Sequence, residues 1–158
     1  PKPPKGGFLV IVKNILLWYN RGNNKERRML DKKTILKIQE LFGKYPKIKL
    51  VYFFGSRANG KSNYNSDYDF AIYFDKEDGK KMFNTRIKLM AQLATLLKND
   101  EVDIVVLNQS EDPTLNYEII QTGKLIYDKD PFRLIVEPKI LNEYFDYYMG
   151  LKKYNLTK

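Results

Sequence analysis

A chain of 158 residues holds one compact domain with little to spare, and 43% hydrophobic against 30% charged residues is the balance of a folded protein. Neither cysteine nor histidine occurs, which excludes disulfides, thiolate or imidazole metal sites, cysteine nucleophiles and Ser-His-Asp triads. The net charge of +9 invites a nucleic-acid partner, but residues 1–28 carry +6 of it and residues 29–158 only +3, which argues against one for the main body.

The first 28 residues differ from the rest. Pro1 to Gly7 cannot be helix or central strand, and the apolar stretch from Phe8 to Tyr19 is interrupted by Lys13 and Asn14. It falls short of the roughly 18–20 residues of a membrane span and lacks a small-residue cleavage site, so a cytoplasmic protein with no membrane partner is expected. Two readings of residues 1–28 stand side by side. They form a basic N-terminal arm, or they are translated leader sequence ahead of a start at Met29, since Lys25-Glu-Arg-Arg28 can be encoded by purine-rich codons like those of a ribosome-binding site. The domain proper is then 29–158.

From Met29 the pattern is regular. Asp31 or Thr34 caps a helix whose apolar positions are Ile35, Ile38, Leu41 and Phe42, ended by Gly43 or Pro46. Ile48 to Phe54 reads as a buried strand, 55–66 as loop or short helix, and Tyr68 to Phe74 as a second strand. Gly79 to Lys98 is helical, with Met82, Ile87, Met90, Leu93, Ala94 and Leu97 as its apolar stripe. Val102 to Leu107 is a third strand. A short helix follows Pro113 and closes at Gly123, and Lys124 to Tyr127 is a short strand. A final helix spans 131–153, broken or kinked at Pro138. Helices and strands mix without strict alternation, so the class is α+β with a mixed sheet and helices packed against it. The run Tyr144-Phe-Asp-Tyr-Tyr148 reads as a helix face packed on the sheet, with a partner-binding surface or a target of self-modification as the rival.

The chemistry concentrates in the stretch from Phe54 to Phe70. Gly55-Ser56 follows a strand directly. Glycine lets backbone approach a ligand, serine offers a hydroxyl and an N–H, and a helix starting there would favour a phosphate. Asp67 and Asp69 sit two apart at a strand start, so both carboxylates point to one side and repel without a cation between them. Taken alone this is most simply a solvated strand start. Asp103 adds weight, because it lies among apolar neighbours in a core-like strand, where a carboxylate usually has a partner or an ion. If that strand lies beside the one carrying Asp67 and Asp69, three carboxylates converge in a cluster suited to two Mg²⁺ ions and a nucleoside triphosphate.

Gly-Ser, ten intervening residues and Asp-x-Asp resembles the signature of the DNA polymerase β-like nucleotidyltransferase superfamily, with Asp103 matching the third family carboxylate on a later strand. The small size, the Ser66-Asp-Tyr-Asp-Phe70 form and the stretch Tyr117-Glu-Ile-Ile-Gln-Thr-Gly-Lys-Leu-Ile-Tyr127 resemble its minimal, MNT-type group, whose members serve as antitoxin partners of HEPN toxins. The resemblance covers the chain from about Ile35 to the final helix and implies a polymerase β palm-like fold. It implies that Gly55, Ser56 and Arg57 bind the nucleotide, that Asp67 and Asp69 hold two Mg²⁺ ions, and that Asp103 binds the catalytic ion and helps deprotonate the attacking hydroxyl. It implies AMP transfer from ATP onto a hydroxyl, a tyrosine of a cognate HEPN toxin. Many members read Gly-Ser-x-Ala-Arg-Gly, whereas Asn59 stands here in place of that arginine; Lys61 is near enough in sequence to substitute.

Two other functions fit the same fold. One is transfer to a small molecule such as an aminoglycoside, which usually needs a further substrate-binding domain that this length does not provide. The other is a non-catalytic partner-binding module, against which the retained Ser56, Asp67, Asp69 and Asp103 argue. The oligomeric state, homo- or hetero-, is left open.

Overall fold

The stretch Ile48–Phe54 has too many apolar side chains, on both of its faces, to lie anywhere but the middle of a sheet. The computed structural model, which describes residues 30–60, 66–154 and 156, puts it there as β1. It pairs antiparallel with β2 (Tyr68–Phe74) on one side and with β4 (Lys124–Asp128) on the other, and β2 pairs in parallel with β3 (Val102–Val106). The sheet order is β3-β2-β1-β4, a mixed sheet as the sequence predicts. The basic arm or leader reading of residues 1–28, and the reading of Lys61, lie outside the described residues.

Five helices complete the described fold: α1 (Lys32–Gly43), α2 (Gly55–Ala58), α3 (Gly79–Leu97), α4 (Pro113–Thr122) and α5 (Phe132–Lys153). The Asp31 side chain caps α1 by accepting from the Thr34 N–H at 2.6 Å. Asp78 and Asp112 cap α3 and α4 in the same way. Helices α1 and α3 cover the first face of the sheet. There Ile38, Phe42, Leu89 and Leu93 pack on Val51, Phe53, Phe70, Ile72 and Ile104. The opposite parity of each strand faces α4 and α5, where Ile119, Val136 and Ile140 meet Leu50, Tyr52 and Ala71. One polar tie crosses that second core. Tyr52 Oη donates to Glu137 Oε1 at 2.8 Å, and Arg133 Nε reaches the same oxygen at 3.0 Å. Burial, more than the neighbouring Glu137 carboxylate, pushes the Tyr52 phenol far above its usual range, so it remains a donor.

Three expectations are corrected. Ile87 is 50% exposed, and Leu89 takes its place in the buried stripe of α3, two residues further on. Each residue turns a helix by about 100°, so the two residues from Ile87 to Leu89 carry the side chain to the opposite side, and apolar residues on both sides leave the phase unmarked in the sequence. Helix α5 continues unbroken through Pro138, which lies on its exposed side, so of the break or kink expected there the break does not occur. The aromatic run Tyr144-Phe-Asp-Tyr-Tyr148 divides: Tyr144 is buried and stacks on Tyr117 at 4.0 Å between ring centres, while Phe145 and Tyr147 are exposed.

Candidate active site

The register of the sheet positions the carboxylates. Asp69 pairs with Phe54 of β1 on one side and with Asp103 of β3 on the other. Paired residues on neighbouring strands point to the same side, so Asp69 and Asp103 share the second face, in phase with Ala71 and Val105. Asp67, two residues before Asp69, adds its charge at the same end. The expected neighbourhood of the two strands is therefore present. The expected surroundings of Asp103 are not. Its side chain is 54% exposed, because β3 alternates and its apolar residues Val102, Ile104 and Val106 turn to the other face. An acid in an apolar strand is here the outward half of an alternating edge strand.

Electrostatics couple Asp69 to the other two. Desolvation first, then the charges of Asp67 and Asp103, hold the Asp69 carboxyl above the usual carboxylate range, against the pull of Arg57. A cation at this end of the sheet would relieve that repulsion, and an all-oxygen donor set suits a hard ion such as Mg²⁺. As the side chains stand, no three acidic groups among the described residues are close enough to hold one ion. Asp103 is engaged elsewhere: its Oδ1 accepts from Arg86 Nη2 at 3.1 Å and from the Ile104 N–H at 2.7 Å.

Gly55 closes the site from β1. Its φ of +77° is a backbone setting that side chains rarely adopt, and a Cβ there would run into Asp69 Oδ2. The glycine and the carboxylate, separated by the long loop of the motif, are thus in direct contact. Gly55 also begins α2, whose N-cap Phe54 makes no side-chain hydrogen bond to its first N–H groups. Ser56 is exposed beside it, and Asn59 caps the far end of α2 with its backbone N–H on the Gly55 carbonyl. Arg57 does not reach outward as a bare phosphate ligand. Its Nε donates to the Ser66 carbonyl, and its guanidinium lies 4.1 Å over the Tyr68 ring. Arg86 escaped the sequence reading altogether. It lies in the middle of a helix 17 residues from Asp103 in sequence, and no local motif marks it.

The family model for polymerase beta and nucleotidyltransferase domains matches residues 36–132, more than half of the chain. The chain belongs to the polymerase beta nucleotidyltransferase family. It is similar to the protein adenylyltransferase MntA of Aphanizomenon flos-aquae (strain 2012/KM1/D3), with 33% identity over 110 residues that make up 61% of this chain and 70% of that one. Among solved structures it is similar to an MntA–HpeT toxin–antitoxin complex carrying two Asp-to-Glu mutations, and to a toxin–antitoxin structure with AMP-PNP. Each has a TM-score of 0.63 and 26% identity, over 78% of this chain and 94% of the other. The MNT antitoxin in complex with a tri-AMPylated HEPN toxin of Shewanella oneidensis shares the fold, with a TM-score of 0.60, 23% identity and the same coverage. This member of the polymerase beta nucleotidyltransferase family is an enzyme of the minimal, MNT-type group, with the α+β fold its sequence predicts.

Proposed function

We propose that this nucleotidyltransferase moves AMP from ATP onto a tyrosine hydroxyl of a HEPN-type toxin and so acts as its antitoxin, using two Mg²⁺ ions held by Asp67, Asp69 and Asp103. The observation that carries the reading is the pairing of Asp69 with Asp103 on one sheet face, with the charge of Asp67 acting on Asp69 and Asp69 lying against the glycine of Gly55-Ser56. The names of the relatives supply the transferred group and the partner. The mutated MntA–HpeT complex exchanges two aspartates at the same spacing as Asp67 and Asp69, which supports their importance.

Each group has a task in this reading. The N–H groups that open α2, with the Ser56 hydroxyl, hold the triphosphate. Arg57, pinned over Tyr68, keeps positive charge beside the motif loop. When bound, Mg²⁺ neutralises phosphate charge and favours ionisation of a nearby hydroxyl. The acceptor oxygen forms the new bond to the α-phosphorus, the bond from that phosphorus to pyrophosphate breaks, and the hydroxyl proton passes toward Asp103. The small-molecule reading has less support, since the larger described helices α1, α3, α4 and α5 all pack on the one sheet and none of the described residues forms a separate acceptor domain. No helix of the described residues is long and apolar enough to cross a membrane.

The test is incubation of the protein, Mg²⁺ and ATP labelled in its α-phosphate with the product of a neighbouring HEPN-type gene. Label on a toxin tyrosine, with loss of toxicity, is expected. Toxin neutralised without label would leave the chain a partner-binding module and end the enzymatic reading.

A further inference from the structure

The contact between Arg86 and Asp103 lies outside every motif in the sequence. Helix α3 packs on the first face through Met82, Leu89 and Leu93, whereas Asp103 points to the second face. The two can meet because β3 is the outer strand of the sheet, so a long side chain from α3 passes around its edge. The reach has a cost. Arg86 Nε is buried and has no hydrogen-bond partner, an arrangement that a freely solvated surface arginine avoids.

The bonds made at the far end are selective. Arginine can take both oxygens of a carboxylate with its planar fork. Here Nη2 takes Oδ1 alone, and the Ile104 N–H donates to that same oxygen. Two fixed donors on Oδ1 set the plane of the carboxyl group, and Oδ2 is left without a hydrogen-bond partner among the described residues. The positive charge is paired with Asp103, one of the two acids whose charge burdens Asp69.

We propose that Arg86 is a positioning residue for Asp103, occupying one carboxylate oxygen so that the other is presented to the metal ion and the attacking hydroxyl. The proposal rests on the reading of Asp103 as a metal ligand. It makes Arg86 a competitor for charge and an aid to geometry at once. A surface ion pair of no consequence would be neither.

These two roles separate experimentally. Mn²⁺ binding to the full chain, without nucleotide, is read by electron paramagnetic resonance, and AMP transfer is read as kcat and as KM for ATP. In Arg86→Ala the ion binds about 3–10-fold tighter, because a neighbouring cation is gone. At the same time kcat falls about tenfold or more with KM held, because Oδ2 is no longer aimed. Arg86→Lys keeps the charge without the fork, so Mn²⁺ affinity returns to that of the natural chain while kcat recovers only in part. In an Asp103→Asn background, Arg86→Ala changes neither quantity further. Unchanged Mn²⁺ affinity and kcat in Arg86→Ala overturn the proposal, and so does weaker Mn²⁺ binding in that variant when Arg86→Lys melts like the natural chain. If Asp103→Asn alone leaves Mn²⁺ binding and transfer intact, the fault lies in the metal reading of Asp103 and not in Arg86.

Discussion

The two faces of the sheet are built from the same strands and do different work. On the first, every inward residue of β2 and β3 is apolar: Phe70, Ile72 and Phe74 alternate in step with Val102, Ile104 and Val106, and α1 and α3 close over them. On the second, α4 and α5 cover β1 with Val136, Ile140 and Ile119, while the start of β2 and β3 presents Asp69 and Asp103 in place of a core. A shift of one residue along either strand would exchange the two sets. The apolar face therefore does more than stabilise the fold, since its packing fixes the register that brings the carboxylates together.

The comparison breaks most visibly on the charged side. Asp67→Ala or Asp69→Ala should lower AMP transfer by roughly a hundred- to a thousandfold or more while circular dichroism and melting remain those of a folded chain. Retained transfer would overturn the assignment of these acids. On the apolar side, Leu89→Ala should cost about 2–5 kcal/mol in denaturant unfolding, whereas Ile87→Ala, on the exposed side of the same helix, should stay within about 0.5 kcal/mol. Equal losses at the two positions would contradict the observed phase of α3. Gly55→Ala joins the two sides. Its strained φ should cost about 1–3 kcal/mol, and displacement of Asp69 should lower transfer by about 10- to 100-fold, so stability and activity fall together in the same variant.

The smallest effect is also the most diagnostic. Asp69 has its carboxyl raised above the usual range, so the folded state holds a proton more readily than the unfolded one. Stability without metal should then fall as the pH rises from the ordinary carboxylate value through the raised one, and this penalty should be absent below both. The group is half-exposed and screened, so Asp69→Asn should gain only about 0.5 kcal/mol, a rise of about 1–2 °C in Tm at neutral pH without Mg²⁺. A lower Tm in that variant would remove the argument that the acids are held together at a cost.

Much of this was legible in advance because local signals agreed. The capping aspartates, the apolar runs of β1 and β2 and the spacing from Gly55 to Asp69 each mark their element without help from distant residues. What the sequence could not show depended on partners far along the chain. Asp103 reads as buried until β3 is seen to be an edge strand with one solvated face. Arg86 acquires meaning only when α3 is placed against that edge. Pro138 reads as a break or a kink, and on the exposed side of α5 the helix passes through it unbroken. The contact that makes glycine obligatory at position 55 comes from β1 pairing with β2 across the motif loop.

The parallel pairing of β2 with β3 also sets a timetable. The strand that ends just before Gly55 and the strand carrying Asp69 are antiparallel neighbours separated by α2 and the motif loop, but Asp103 arrives only after the chain has crossed over through the 19 residues of α3. Long-range parallel pairing forms late, once the cost of closing the crossover has been met. A chain still emerging from the ribosome with β3 unmade thus carries two of the three acids and Arg86, but not the third acid that the arginine holds. The three acids therefore stand together only once β3 has docked beside β2.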